Sequence, residues 1–517
     1  MKKLIALVML LAMLCTCVPF ALAEDPIVVN VIPPSSATGS SAEGYKMVQD
    51  WILKETGVLV NAYTLDGTDD TNQKNALLMG DTRIDIWWGS AAMDWSYWKE
   101  MGMIQPINRF LELAPSAVAA WEKYNAMGLV TDLEGNIWGL PRNVDRVFYQ
   151  TFIREDFMKA LGYTEDQYPT TFEAFEEYLY KVQAAAGTNG IPENVIPMIT
   201  RNNMTTMEYH FLGGFTEHGY SNWMDEDGTI KPYYLADGYY DFLVKMNQWY
   251  KDGIINAENP SWSTNQVKEY LASGRVAASG AYSTDLCNQY INLRTNVPEA
   301  KWWASVNGMT RNGELCESQI KGDSAAMMLN KNTPDEVAEA YFKVLEFLHS
   351  DWANNYSSQV GLQGLYWDYD TETYGEEAKT LHIVKTLDSA AEQPKYSKDF
   401  WFSIGLPTEA DCVMYDADGV QNMQNEYIRH QGDTFAAKAA FDKGVAYNDG
   451  AIRDAVMMYN DLKTAIAEET EKFYMGQEGY ELTEENWNNF IQRLYDEFEL
   501  QEYCDELTRQ YKLIKGL

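Results

Sequence analysis

Two periods of apolar residues alternate along the first third of the chain. Ile27-Val28-Val29-Asn30-Val31-Ile32 is short, β-branched and apolar on both faces, which predicts a strand buried on both sides. Pro33-Pro34-Ser35-Ser36-Ala37-Thr38-Gly39 predicts a loop behind it. Val48, Trp51 and Ile52 then fall on one face of a helix that Gly57 ends, and Val58 to Tyr63 predicts a second strand. A helix around Asn72 to Met79 and a strand over Ile84 to Trp88 repeat the unit. Strand–helix–strand units in this order build parallel α/β sheets.

Later segments read as helices. Thr170-x-x-Glu173 has the form of a capping box, with Phe172, Phe175, Leu179 and Val182 at helical spacing behind it. Thr333-Pro334-Asp335-Glu336 predicts a helix capped by Thr333, its apolar face made by Val337, Tyr341, Val344 and Leu348. Trp487, Phe490, Ile491, Leu494, Tyr495 and Phe498 predict a long amphipathic helix, and the last hundred residues read mostly as helix. There is no internal repeat and no low-complexity linker.

The N-terminus sets the compartment. Lys2 and Lys3, the uncharged apolar run Leu4 to Leu14, and Ala21-Leu22-Ala23 before Glu24 form a secretory signal over residues 1–23. The run is too short to span a bilayer. Cys15 and Cys17 raise a lipid anchor as the less favoured alternative, because Leu14 and Thr16 precede them where such anchors place a small residue. Either route takes the protein outside the cytoplasmic membrane, into the periplasm or onto the outer face of the envelope.

With 76 acidic against 40 basic residues, the formal charge of −36 excludes nucleic acid and anionic membrane surfaces as partners. The 16 Trp and 34 Tyr argue for a folded chain, and their rings suit the apolar faces of sugars. Recognised catalytic and cofactor motifs are absent: no HExxH, P-loop, GxGxxG or GxSxG. No metal, cofactor or catalytic residue is expected. His210 and His218 are not at a ligand spacing. Asp225-Glu226-Asp227-Gly228-Thr229 resembles the start of a calcium loop, but position twelve is Ala236, so a hairpin turn is the better reading. Asp368 and Asp370 are read as turn residues. Among the cysteines left after cleavage, Cys287, Cys316, Cys412 and Cys504, the spacing matches no zinc motif, and Cys287–Cys316 is a weak pairing candidate. A pair of carboxylates for glycoside hydrolysis is neither excluded nor indicated.

A set of short motifs carries a resemblance. Glu55-Thr56-Gly57-Val58, Ala76 to Trp88, Gly102 to Ile107, Gly135-Asn136-Ile137-Trp138-Gly139-Leu140-Pro141, Ile153 to Phe157, Pro169 to Phe172, Tyr250 to Ile255 and Leu271 to Ala277 occur in the order seen in extracellular solute-binding proteins of bacterial ABC importers. Their order spans about two thirds of the chain, and the remainder is similar only to the longer, carbohydrate-associated members.

The resemblance implies an α/β, two-lobe fold of the periplasmic-binding-protein type, with a hinge, a ligand cleft and a helix-rich C-terminal region. One lobe would comprise 24–141 plus 323–360, the other 142–322 plus 361–517. It implies a monomer that binds a small-molecule ligand, an oligosaccharide, without chemistry and delivers it to importer permease subunits. The alternatives are a secreted glycoside hydrolase or a binding protein for a peptide or other non-sugar ligand. Carried over residue by residue, the ligand-binding set is Ser35 and Ser36 after the first strand, Trp88 and Ser90 after the third, Arg142 and Asp145 beyond the hinge proline, Tyr282, and more weakly Arg201 and Asn202. Trp87 is read as core, since neighbours on a strand face opposite ways.

Overall fold

The computed structural model describes residues 26–33, 42–63, 65, 70–89, 94–123, 126–141, 150–200, 203–280, 283–305, 307–318, 326–365, 367–369, 371–376, 383–385, 436–445 and 447–517. In chain order the strands are β1 Ile27–Ile32, β2 Val58–Ala62, β3 Ile86–Gly89, β4 Leu140–Pro141 and β5 Phe152–Arg154. They continue with β6 Ile196–Thr200, β7 Trp223–Met224, β8 Ile230–Lys231, β9 Val276–Gly280 and β10 Trp302–Trp303. The last are β11 Thr310–Arg311, β12 Glu314–Leu315, β13 Ala326–Leu329, β14 Trp367–Tyr369 and β15 Ile383–Lys385.

Two larger sheets hold nine of these strands, one sheet in each of two lobes, and the other six form the two-stranded pairs β7-β8, β11-β12 and β14-β15. The first larger sheet has the order β2-β1-β3-β13-β4, the second β10-β5-β9-β6. In the first, β1 runs parallel to β2 and β3, while β13 is antiparallel to both β3 and β4. Alternation along the strands divides its side chains between two cores. Val29, Val31, Val60, Ile86, Met327 and Leu329 face the helices Ala42–Thr56 and Asp335–His349, and Ile32, Trp87, Ala326 and Met328 face Trp95 and Trp98. Trp87 is fully buried, as its strand position predicts, its ring edge-on to Trp98 at 5.4 Å.

In the second sheet, β6 and β9 are parallel, and β5 is antiparallel to β9 and β10. The helix Phe172–Ala184 covers one face through Phe172, Phe175, Leu179 and Val182. The C-terminal helices Tyr459–Met475, Glu484–Glu497 and Leu500–Lys515 complete the same core with Leu462, Phe473, Trp487, Phe490 and Leu494. Arg154 is fully buried where β5 ends. Its guanidinium pairs with Asp156 at 2.6 Å, donates to the Gly274 carbonyl at 3.2 Å and lies 4.3 Å over the Phe157 ring, so the charge is matched on each side.

Several local expectations shift. The 172–184 helix is capped by Thr171, whose hydroxyl accepts from Ala174 N, rather than by Thr170. The helix Asp335–His349 starts without a side-chain cap, because the Thr333 hydroxyl donates instead to the Asp85 carbonyl at 3.1 Å and so ties the helix to β3. Asp368 lies within β14 rather than in a turn, opposite Val384. Cys316 is a buried free thiol, which removes its pairing with Cys287. The signal segment, Cys412 and Asp370 lie outside the described residues.

Candidate functional site

Strand direction fixes which strand ends lie together in each sheet. Since β1, β3 and β4 run the same way and β13 the opposite way, the C-terminal ends of the first three and the start of β13 share one end of the first sheet. In the second sheet the C-terminal ends of β6, β9 and β10 share an end with the start of β5. The chain leaves the first sheet at Pro141 and enters the second at Phe152, then leaves β10 and re-enters the first at Ala326. Both connections therefore join the loop end of one sheet to the loop end of the other. In open α/β sheets ligands bind outside those ends.

Of the nine expected ligand residues only Trp88 is described. It is half-buried near the end of β3, on the same face as Ile86, with its ring against the first core. Ser35, Ser36, Ser90, Arg142, Asp145, Arg201, Asn202 and Tyr282 lie outside the described residues. In sequence they follow the strands just named: β1 ends at Ile32, β3 at Gly89, β4 at Pro141, β6 at Thr200 and β9 at Gly280.

The groups that hold these strand ends are described, and apart from His210, which was weighed only as a metal ligand, the sequence alone did not single them out. In the first lobe, Asp132 is a buried hub. Its carboxylate takes Lys99 Nζ at 2.8 Å, Trp138 Nε1 at 2.6 Å and Asn136 N at 2.8 Å, and these bonds hold its pKa well below the ordinary range despite burial. Lys99 lies 4.8 Å over the Trp138 ring. The hub thus ties the helix Asp94–Glu100, which follows β3, to the loop entering β4.

In the second lobe, Asn259 clamps the last residue of β6, accepting from Thr200 N at 2.9 Å and donating to its carbonyl at 3.0 Å. His210 sits where β9 ends, close against Gly280, its Nδ1 3.1 Å from the Thr151 hydroxyl. Burial pushes its pKa down to about 3, so the ring is neutral. Gln150 donates to the Ser305 carbonyl at 2.9 Å and joins the two connections. Glu317, fully buried, accepts from Met309 N at 2.8 Å, and burial raises its carboxyl to about 8. A third segment runs beside it: Lys438 N donates to the Glu317 carbonyl at 2.7 Å, and buried Asp442 accepts from Asn222 at 2.8 Å.

The acidic loop is a hairpin turn between β7 and β8, as its Asp-Gly signature predicts. Asp225 Oδ1 accepts from Asp227 N and Thr229 N, and Oδ2 pairs with Lys231 at 2.8 Å, so the turn and an ammonium occupy that carboxylate. His218 stacks on Trp223 at 4.9 Å. Among the described residues, no group of three or more His, Cys, Asp or Glu is placed to hold a metal ion.

No family model and no curated protein matches the chain. Solved structures do. The alginate-binding protein AlgQ2, in a form without calcium ion, superposes with a TM-score of 0.65 at 14% identity, over 95% of this chain and 98% of its own. An HMO-binding, ABC-transporter-associated solute-binding protein from Bifidobacterium longum infantis gives 0.64 at 14%, over 95% and 99%. This chain has the two-lobe fold of the solute-binding proteins. The N-glycan transport solute-binding protein NgtS from Streptococcus pneumoniae gives 0.62 at 12%, over 95% and 100%. The solute-binding fold thus extends through the C-terminal helices, beyond the two thirds of the chain that carry the sequence motifs.

Proposed function

We propose that this protein captures an extracellular oligosaccharide between its lobes by closure, without chemistry, and delivers it to the permease subunits of an ABC importer. The observation that carries the reading is that the strands preceding the candidate residues in sequence end at the loop ends of two sheets, which the chain joins twice at those ends. The similar structures add to it, since AlgQ2 is named for alginate, NgtS for N-glycan transport and the Bifidobacterium protein for HMO. Segment 1–23 would direct export, and the protein would act as a monomer. Among the described residues no helix is long and apolar enough to cross a membrane.

The lobes would comprise 24–141 with 323–360, and 142–322 with 361–517. Trp367 packs edge-on to Tyr356 at 4.7 Å, which favours a return to the second lobe later than residue 361. Arg142, Asp145 and Ser90 would hydrogen-bond hydroxyls, with Ser35, Ser36, Arg201 and Asn202 at the margins, and Trp88 and Tyr282 would stack on sugar faces. Covering one ring face, on the order of 60 Å², contributes about 1.5 kcal/mol, so Tyr282→Ala should weaken binding roughly tenfold. Asp145→Asn, which keeps shape and removes charge, should weaken it by a similar factor.

A thermal-shift screen of glycans followed by calorimetric titration tests the reading. A stabilising oligosaccharide whose affinity falls in both variants is expected, with no product formed. Turnover that depends on a carboxylate pair, or full affinity in both variants, overturns it.

A further inference from the structure

The second lobe contains a cavity of about 420 Å³ that shares no lining residue with the candidate strand-end loops. It lies among the helices Asn203–Phe211, Tyr239–Lys251, Tyr459–Met475 and Leu500–Lys515. Its volume falls within the range of small-molecule sites and exceeds the share of a single water, about 30 Å³, many times over. Tyr220, Tyr233, Tyr239, Tyr459 and Tyr503 wall it. Their rings form runs, with Tyr220 and Tyr233 at 4.3 Å and Tyr459 and Tyr503 at 5.6 Å.

Two hydroxyls in its lining make the cavity more than a packing defect. Tyr234 Oη and Thr470 Oγ1 are buried, at 6% and 5% residue exposure, and neither has a hydrogen-bond partner. Buried polar groups are almost always paired, and each one left unpaired is a standing cost. Glu208 also lines the cavity and accepts from Tyr239 Oη at 2.5 Å. Burial raises its carboxyl to about 8, so at neutral pH it is uncharged and both donates and accepts.

From the cavity, its phenol walls and the two unpartnered hydroxyls, we propose a second binding site in this lobe for one neutral, hydroxyl-bearing ring of monosaccharide size. Such a ligand offers apolar ring faces to the phenols and hydroxyls to Tyr234 and Thr470. A quaternary ammonium would also suit a ring-walled site. It would, however, leave both hydroxyls unpaired.

The test is ligand-observed NMR titration of the full chain with D-glucose, D-mannose and D-galactose in turn, and with choline as the competing chemistry. Ala467 is an exposed lining residue, so Ala467→Trp fills the cavity without disturbing the core. Thr470→Val keeps the shape and removes one hydroxyl. Saturable binding of at least one hexose is expected, abolished by Ala467→Trp and weakened about threefold to tenfold by Thr470→Val. It should persist in a Tyr282→Ala/Asp145→Asn variant, which separates this site from the proposed cleft. No saturable hexose binding, preference for choline, binding that survives Ala467→Trp, or binding lost with the cleft variant would each overturn the second site.

Discussion

Glu208 and Glu317 are carboxyls removed from water, and both are raised to about 8 by that burial. The facing groups are Tyr239 and Tyr233 for Glu208, and the backbone N–H of Met309 and Thr151 for Glu317. Between an unfolded value of about 4.5 and 8, the folded state holds a proton that the unfolded chain has released. Stability therefore falls as pH rises through that window, by up to about 1.4 kcal/mol per pH unit per group, and levels off above it. Glu317→Gln has no proton to lose and should flatten the decline in melting temperature from pH 5 to 8. The same slope in wild type and variant would remove Glu317 from the account. The paired tryptophans divide the same way. Trp87→Ala empties a fully buried site and should cost about 3–5 kcal/mol, read by urea unfolding, whereas half-buried Trp88 should cost less. The burial of Trp87 was legible from β alternation, whereas the place of Trp88, packed against the other core, was not. Nor were the hub at Asp132 and the clamp at Asn259, since their partners are set by tertiary contact.

At the scale of elements, the hairpin around Asp225 has a consequence for metal dependence. The carboxylate that would begin a calcium loop already accepts two backbone N–H groups and pairs with Lys231. A divalent ion would have to displace that ammonium. Melting temperature should therefore be the same in millimolar calcium and in excess EDTA, and a chelator-induced drop would show a cation site elsewhere. Elements with a strong period were readable at their ends. β1 falls on the predicted residues, and the 335–349 helix buries Val337, Tyr341, Val344 and Leu348 as its spacing requires. The capping residues were each read one position early, because Thr170 and Thr171 offer equivalent hydroxyls and because Thr333 is recruited by Asp85, distant in sequence. β4, β5 and β10 have two or three residues, too few to show any period, yet they carry the crossings between the sheets.

Over the whole molecule, the third connecting segment closes on the first lobe. Residues 436–445 bond to the second lobe through Lys438 and Asp442, then Gly444 reaches the turn Met127–Val130, where its carbonyl lies against Gly128. A Cβ at Gly128 would meet that carbonyl, which is backbone and cannot swing aside. Gly450 similarly packs against the Glu100 carboxylate. The Gly444 contact lies in the segment that bonds to Glu317, and under the proposed lobe closure it would sit on the hinge side, where positions change least. A β-branched side chain there should strain the open and closed forms alike. Gly128→Val is accordingly expected to lower unfolding free energy by about 1–3 kcal/mol while leaving ligand affinity within about threefold. Urea unfolding paired with calorimetric titration separates the two quantities. If affinity collapsed while stability stayed constant, the Gly128–Gly444 contact would be a feature of the closed form alone, on the rim of the cleft rather than at the hinge.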